Sequence, residues 1–232
     1  MGRYVLEPLG EDALLLRLGS HIDAGCNREV HALAARLLTD APPWLRDCVP
    51  AYASLALFID TDAFDGRDPL PSVRAWLARQ QDPAKLPDEA PRTSPIDIPV
   101  CYDAEFAPDL AALAAHSGLS PDEVIARHQA PTYQVAMIGF APGFPYLLGL
   151  DPALAMPRLA TPRMQVAAGS VGIGGAQAGI YPRESPGGWR IIGRTPLRLF
   201  DPARDEPALL APGQSLRFVA INRSRFDALL AS

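Results

Sequence analysis

The densest concentration of residues able to do chemistry lies between Gly139 and Pro202. It opens with Gly139-Phe140-Ala141-Pro142-Gly143-Phe144-Pro145-Tyr146-Leu147, followed by Pro157-Arg158 and Thr161-Pro162-Arg163. The run Ala168 to Pro182, then Ser185-Pro186-Gly187-Gly188-Trp189 and Gly193-Arg194-Thr195-Pro196, completes it. Residues 151–200 carry six arginines against Asp151 and Glu184, a local net charge of +4. Glycine lets backbone amides approach a ligand, and guanidinium groups grip carboxylate or phosphate through paired hydrogen bonds. The segment therefore suits an anionic ligand. The competing account places the glycines at barrel bends and the arginines in solvent.

Several other chemistries are excluded. Gly172 and Gly174 are followed by Gln177 where a dinucleotide fingerprint needs glycine, and no Gly-Lys-Ser/Thr phosphate loop occurs. Ala168 to Gly172 approaches a nucleophile elbow, but a triad of that kind needs a downstream histidine. All four histidines, His21, His31, His116 and His128, lie upstream. No histidines or carboxylates sit at ligand spacing, so no intrinsic metal site is expected. Lys85 is the single lysine beside 20 arginines, which nearly closes Schiff-base chemistry to this chain. His128, where a helix gives way to a strand, is a candidate base or phosphate ligand, with helix capping as the equal alternative. Tyr181 and Trp189 are candidates for a pocket wall or for core packing.

These residues must be held by a scaffold, and the composition bounds it. The chain has 232 residues, 48% hydrophobic and 20% charged, with 25 prolines and 18 glycines. That predicts a globular protein with many turns and short strands. The net charge of −5 disfavours nucleic acid. No apolar run is long enough to cross a membrane and the N-terminus lacks a secretory pattern. Three widely spaced cysteines fit a reducing cytoplasm.

Residues 1–85 read as a small α+β domain. Strands are expected at 4–6, 13–18, 48–52 and 54–60, with helices at 23–39 and 71–80. The first helix is predicted by the stripe Val30, Leu33, Ala34, Leu37 and Leu38. The proline-rich stretch 82–95 reads as a linker. Residues 95–232 read as a second domain. A strand at 96–102 precedes helices at 108–116 and 120–128, the latter opening on the capping box Ser120-Pro121-Asp122-Glu123. Short strands follow at 133–138, 165–167, 170–173, 189–192, 197–200 and 215–219, then a helix at 223–230. Many short strands between Gly and Pro suggest a closed barrel.

The segments quoted above, with Pro99 to Tyr102, Glu105-Phe106, Pro108 to Leu110 and Leu119 to His128, resemble the family of 5-oxoprolinase B subunits. That family is also called allophanate hydrolase subunit 1 and includes the kinase inhibitor KipI. The resemblance implies an α+β N-terminal domain joined to a mainly-β, cyclophilin-like barrel. It implies ATP-dependent opening of 5-oxoproline to glutamate, with the C and A subunits of 5-oxoprolinase as partners. ATP, with or without Mg2+, would be shared with the partner, and the chain alone would be inactive. Carried onto matching positions, Arg158, Arg163 and Arg194 would bind carboxylate or phosphate. Gly169, Ser170, Gly172 and Gln177 would form a donor loop, His128 would be base or ligand, and Tyr181 with Trp189 would shape the pocket. Two positions depart from the family pattern, Ala167 where proline is usual and Ala178 where threonine is common. The alternatives are a KipI-like inhibitor that docks on a sensor histidine kinase, or a subunit related to urea carboxylase.

Overall fold

The computed structural model describes residues 4–80 and 94–231. The chain clusters into two compact units, residues 1–92 and 93–232. The linker expected at 82–95 lies almost wholly outside the described residues.

In the first unit, β1 (Val5–Pro8), β2 (Ala13–Arg17), β3 (Leu45–Pro50) and β4 (Ser54–Ile59) form an antiparallel sheet in the order β1-β2-β4-β3. Strand β4 alternates strictly, sending Leu55, Leu57 and Ile59 inward. Helices α1 (Ala24–Thr39) and α2 (Pro69–Arg79) complete the unit. Asp23 caps α1 by accepting from the Cys26 amide at 2.7 Å. Val30, Ala34 and Leu37 are buried from α1, whereas Leu38 is half exposed, so the apolar stripe is narrower than the sequence suggests. β3 begins three residues earlier than expected, because Leu45 already pairs with Ile59.

The second unit is a mixed α/β structure built around one nearly closed sheet. Its elements are β5 (Ile96–Val100), α3 (Leu110–Ser117), α4 (Pro121–Gln129), β6 (Tyr133–Ile138), β7 (Pro145–Leu148), β8 (Arg163–Val166) and β9 (Ser170–Gly174). After these come β10 (Gln177–Ile180), β11 (Ser185–Gly187), β12 (Arg190–Arg194), β13 (Ser215–Ala220) and α5 (Arg223–Leu230). Seven strands run in the order β12-β9-β10-β7-β6-β13-β5, and β8 pairs with β11 apart from them. Just beyond β5, Cys101 bridges Arg194 at the end of β12. Each amide donates to the other's carbonyl at 2.9 Å, which draws the two sheet edges together. Inside lie Val135, Leu147, Val171, Ile173, Ala178, Ile180, Ile192 and Leu216, all fully buried.

The capping box of α4 is complete: Ser120 and Glu123 satisfy each other's backbone amides. Helix α5 occupies the expected residues. Three strands, β7, β10 and β11, are additional to the sequence expectation, and residues 197–200 form only an isolated bridge from Phe200 to Ala208. Pro-rich and Gly-rich segments have weak strand propensity. β7 and β10 become strands because neighbours on both sides supply the ladder, as β9 and β7 do for β10, and β11 pairs with β8 alone. The three cysteines are free thiols. Among the described residues no helix is long and apolar enough to cross a membrane.

Candidate functional site

The glycine segment is a hairpin, not a loop. Ser170 and Gly172 lie in β9, Gln177 lies in β10, and Gly175 makes the turn with φ +66°. At Gly174 a β-carbon would stand 2.7 Å from the Trp189 ring, so this glycine makes room for an indole. Gly169 is in the left-handed region, φ +80°, where an added β-carbon would collide with the Thr195 carbonyl oxygen. The donor loop expected of Gly169, Ser170, Gly172 and Gln177 is therefore replaced by ladder and packing. Of these, Ser170 lines a cavity.

That cavity, about 230 Å³, is lined among others by Glu105, Phe106, Arg163, Gln165, Ser170 and Arg194. Its charges are arranged in pairs. Arg163 donates through one terminal nitrogen to Asp109 Oδ1 at 2.8 Å. Asp109 stands at the N-cap of α3 but makes no side-chain cap bond. Instead its Oδ2 accepts from the Ile191 amide at 2.6 Å. One buried carboxylate thus ties β8, α3 and β12 together. Glu105 is ion-paired with Arg223 of α5. Arg194 differs. Its Nε donates to the Ala168 carbonyl at 2.8 Å and its guanidinium lies 5.7 Å from the centre of the Phe106 ring. Among the described residues no carboxylate pairs with it. Arg194 is therefore the cavity's arginine without a paired acid among the described residues.

The other expected residues stand elsewhere. Tyr181 and Trp189 are buried in an aromatic cluster with Phe144 and Val166, behind the cavity wall that Val166 and Ile191 provide. Arg158 is exposed, 5.4 Å above the Trp189 ring. His128 is in the core of the second unit, 0% exposed and stacked 4.3 Å from Phe218. Its Nδ1 shares a hydrogen bond with the Tyr102 hydroxyl at 2.8 Å. Burial pushes its pKa down to about 3, so the ring is neutral wherever the protein is folded near neutral pH. A sealed imidazole has no access to a ligand in the cavity. Ala178, where the resemblance places threonine, is fully buried in the barrel interior, so a hydroxyl there would face the core and not the cavity.

Glu105 and Gln165 line the cavity and Asp109 pairs with Arg163 in its wall; none of the three is singled out for ligand contact in the sequence, although Glu105 and Asp109 fall in segments that carry the family resemblance. The sequence places Asp109 in the helix expected at 108–116, and its partner Arg163 lies 54 residues away. Among the described residues no group of three or more His, Cys, Asp or Glu side chains could hold a metal ion.

The model of the carboxyltransferase domain, subdomains C and D, matches residues 4–210. The chain is 40% identical over 232 residues to the 5-oxoprolinase B subunit of Bacillus subtilis, covering 97% of this chain and 96% of that protein. The crystal structure of TTHA0988 shares 40% identity at a TM-score of 0.78. It matches 90% of this chain, which spans only 40% of that longer one. The urea amidolyase of Kluyveromyces lactis, 18% identical at a TM-score of 0.74, matches 98% of this chain and 15% of its own, and so shares the fold.

Proposed function

The chain belongs to the family of 5-oxoprolinase B subunits, and on that premise we propose that it is the B subunit of an ATP-dependent enzyme that opens 5-oxo-L-proline to L-glutamate. The observation that supports this reading is the uncancelled guanidinium of Arg194 at a small cavity. 5-Oxoproline is a compact lactam with one carboxylate. The terminal nitrogens of Arg194 would take that carboxylate in a two-point grip. The buried hydroxyl of Ser170 and the amide of Gln165 are the neutral donors available to the lactam carbonyl. Arg163, already committed to Asp109, holds the wall and does not bind the ligand.

ATP with Mg2+ does not fit this cavity by itself. The volume is below the roughly 300–1,000 Å³ of ordinary small-molecule pockets. One free cation stands against a polyphosphate, and the described residues offer no cluster of metal ligands. In this reading the chain holds and orients the lactam at this cavity, and surface that its C or A partner brings completes a shared nucleotide site. The chain alone would then be inactive. Three free thiols suit the reducing cytoplasm in which such an enzyme would work.

The test is release of ADP dependent on 5-oxoproline, measured for the chain alone and with its candidate C and A partners. Release only in the presence of the partners, with glutamate as product, is the expected result. No release in any combination, together with binding to a sensor histidine kinase, would replace this reading with the inhibitor.

A further inference from the structure

The C-terminal helix reaches the cavity through two of its lining residues. Arg223, the first residue of α5, ion-pairs Glu105 and is held from behind by Asp227, its Nε 2.9 Å from Oδ1. Its guanidinium lies 5.0 Å from the centre of the Phe106 ring, and Phe226 packs on the same ring at 4.5 Å. Arg194 lies 5.7 Å from that ring as well. Phe106 is therefore shared by two guanidiniums, one belonging to the cavity and one to the helix. The pairing of Arg223 with Glu105 spans 118 residues of sequence.

We propose that Arg223 is a positioning residue for the cavity: by occupying Glu105 and bracing Phe106, it leaves Arg194 free and correctly aimed to receive a carboxylate. This rests on the reading of the cavity as a carboxylate site. Both partners of the ion pair are about half exposed, 46% and 64%. An ion pair so wet adds little to stability. Its effect is on the charge of the cavity. Glu105 lines the cavity, and an uncancelled carboxylate there would repel an arriving anion. Released from Arg223, it would also find in Arg194 a cavity cation without an acid of its own. The two effects act in the same direction, and both are electrostatic.

Two readouts test this on the full-length chain. The first needs no ligand. In Arg223→Gln, the Arg194 Nε–H signal in the NMR spectrum should shift, and Arg223→Lys with Glu105 intact should restore it in part. The second is binding of 5-oxo-L-proline by calorimetry. Arg223→Gln should raise Kd about tenfold at low salt, an effect that should fade near 1 M salt, where charges are screened within about 3 Å. Arg223→Gln combined with Glu105→Gln should return close to the wild-type affinity, since no carboxylate then remains to be cancelled. An unshifted Arg194 signal, or a double variant as weak as the single one, would overturn the proposal. A shifted Arg194 signal in a protein that binds no 5-oxoproline would sink the ligand reading and leave the positioning role standing.

Discussion

Asp109 and Glu105 each pair with an arginine, Arg163 and Arg223, and their environments give them different work: Glu105 is exposed and its pair is electrostatic. Asp109 is buried and bonds both Arg163 and the Ile191 amide, so it is a structural clasp. Removing it in Asp109→Ala strands a backbone N–H and a partly buried guanidinium. The expected loss is about 2 kcal/mol, below the full figure for a buried pair because solvent reaches Arg163. A lowered urea midpoint with unchanged slope would show it; an unchanged midpoint would contradict the clasp. Arg163→Ala should reproduce most of that loss, which means its effect on activity would come through the fold. His128 acts on stability by a separate route. Its folded pKa of about 3 lies below the 6.5 of a free imidazole. Between these values the unfolded chain binds a proton that the folded one refuses. Stability from this group is therefore complete above pH 6.5 and is lost as the pH falls toward 3, at up to about 1.4 kcal/mol per unit. Chemical denaturation from pH 7 to pH 4 should show a steeper decline for the wild type than for His128→Gln, where no titrating ring remains. Equal slopes would mean the ring is protonated in place.

At the scale of the element, the β9–β10 hairpin carries the contrast between what sequence reveals and what it hides. The helices α4 and α5 are legible because their signals are local: a capping serine, a proline at the first turn, a repeating apolar position. β10, by contrast, reads Gln-Ala-Gly-Ile, which no propensity scale would make a strand. It exists because β9 and β7 flank it. Two of the glycines that suggest a ligand-binding loop, Gly172 and Gly174, serve the packing of Trp189, a contact made across the sheet from β9 to the residue before β12. Of the residues singled out by type, Arg163, Ser170 and Arg194 line one cavity. Which arginine is free stays hidden, since that depends on partners 54 and 118 residues distant. If Gly174 serves the indole, Gly174→Ala should destabilise by about 1–3 kcal/mol through overpacking and should perturb Trp189 fluorescence. A variant as stable as the parent, with unaltered emission, would return the glycine to the ligand.

For the molecule as a whole, each unit has its own apolar core. Leu16, Leu37, Leu55 and Leu57 anchor the first, and Tyr133, Val135, Ile173 and Leu216 anchor the second. A fragment of residues 94–232 is therefore expected to fold alone, with a single cooperative thermal transition and the near-ultraviolet dichroism of a packed Trp189. A fragment without that transition would mean the second core is incomplete by itself. The seam of the second unit has one further property. Arg194 contributes its backbone to the rung that joins β12 to the residue after β5, and its side chain to the cavity. Whatever grips the guanidinium must also resist the opening of that rung. A ligand at a hundred times its Kd should suppress opening about a hundredfold, and hydrogen exchange at the Cys101 and Arg194 amides should slow accordingly. The barrel would be zipped by what it holds, with the ligand's own affinity as the force on the slider.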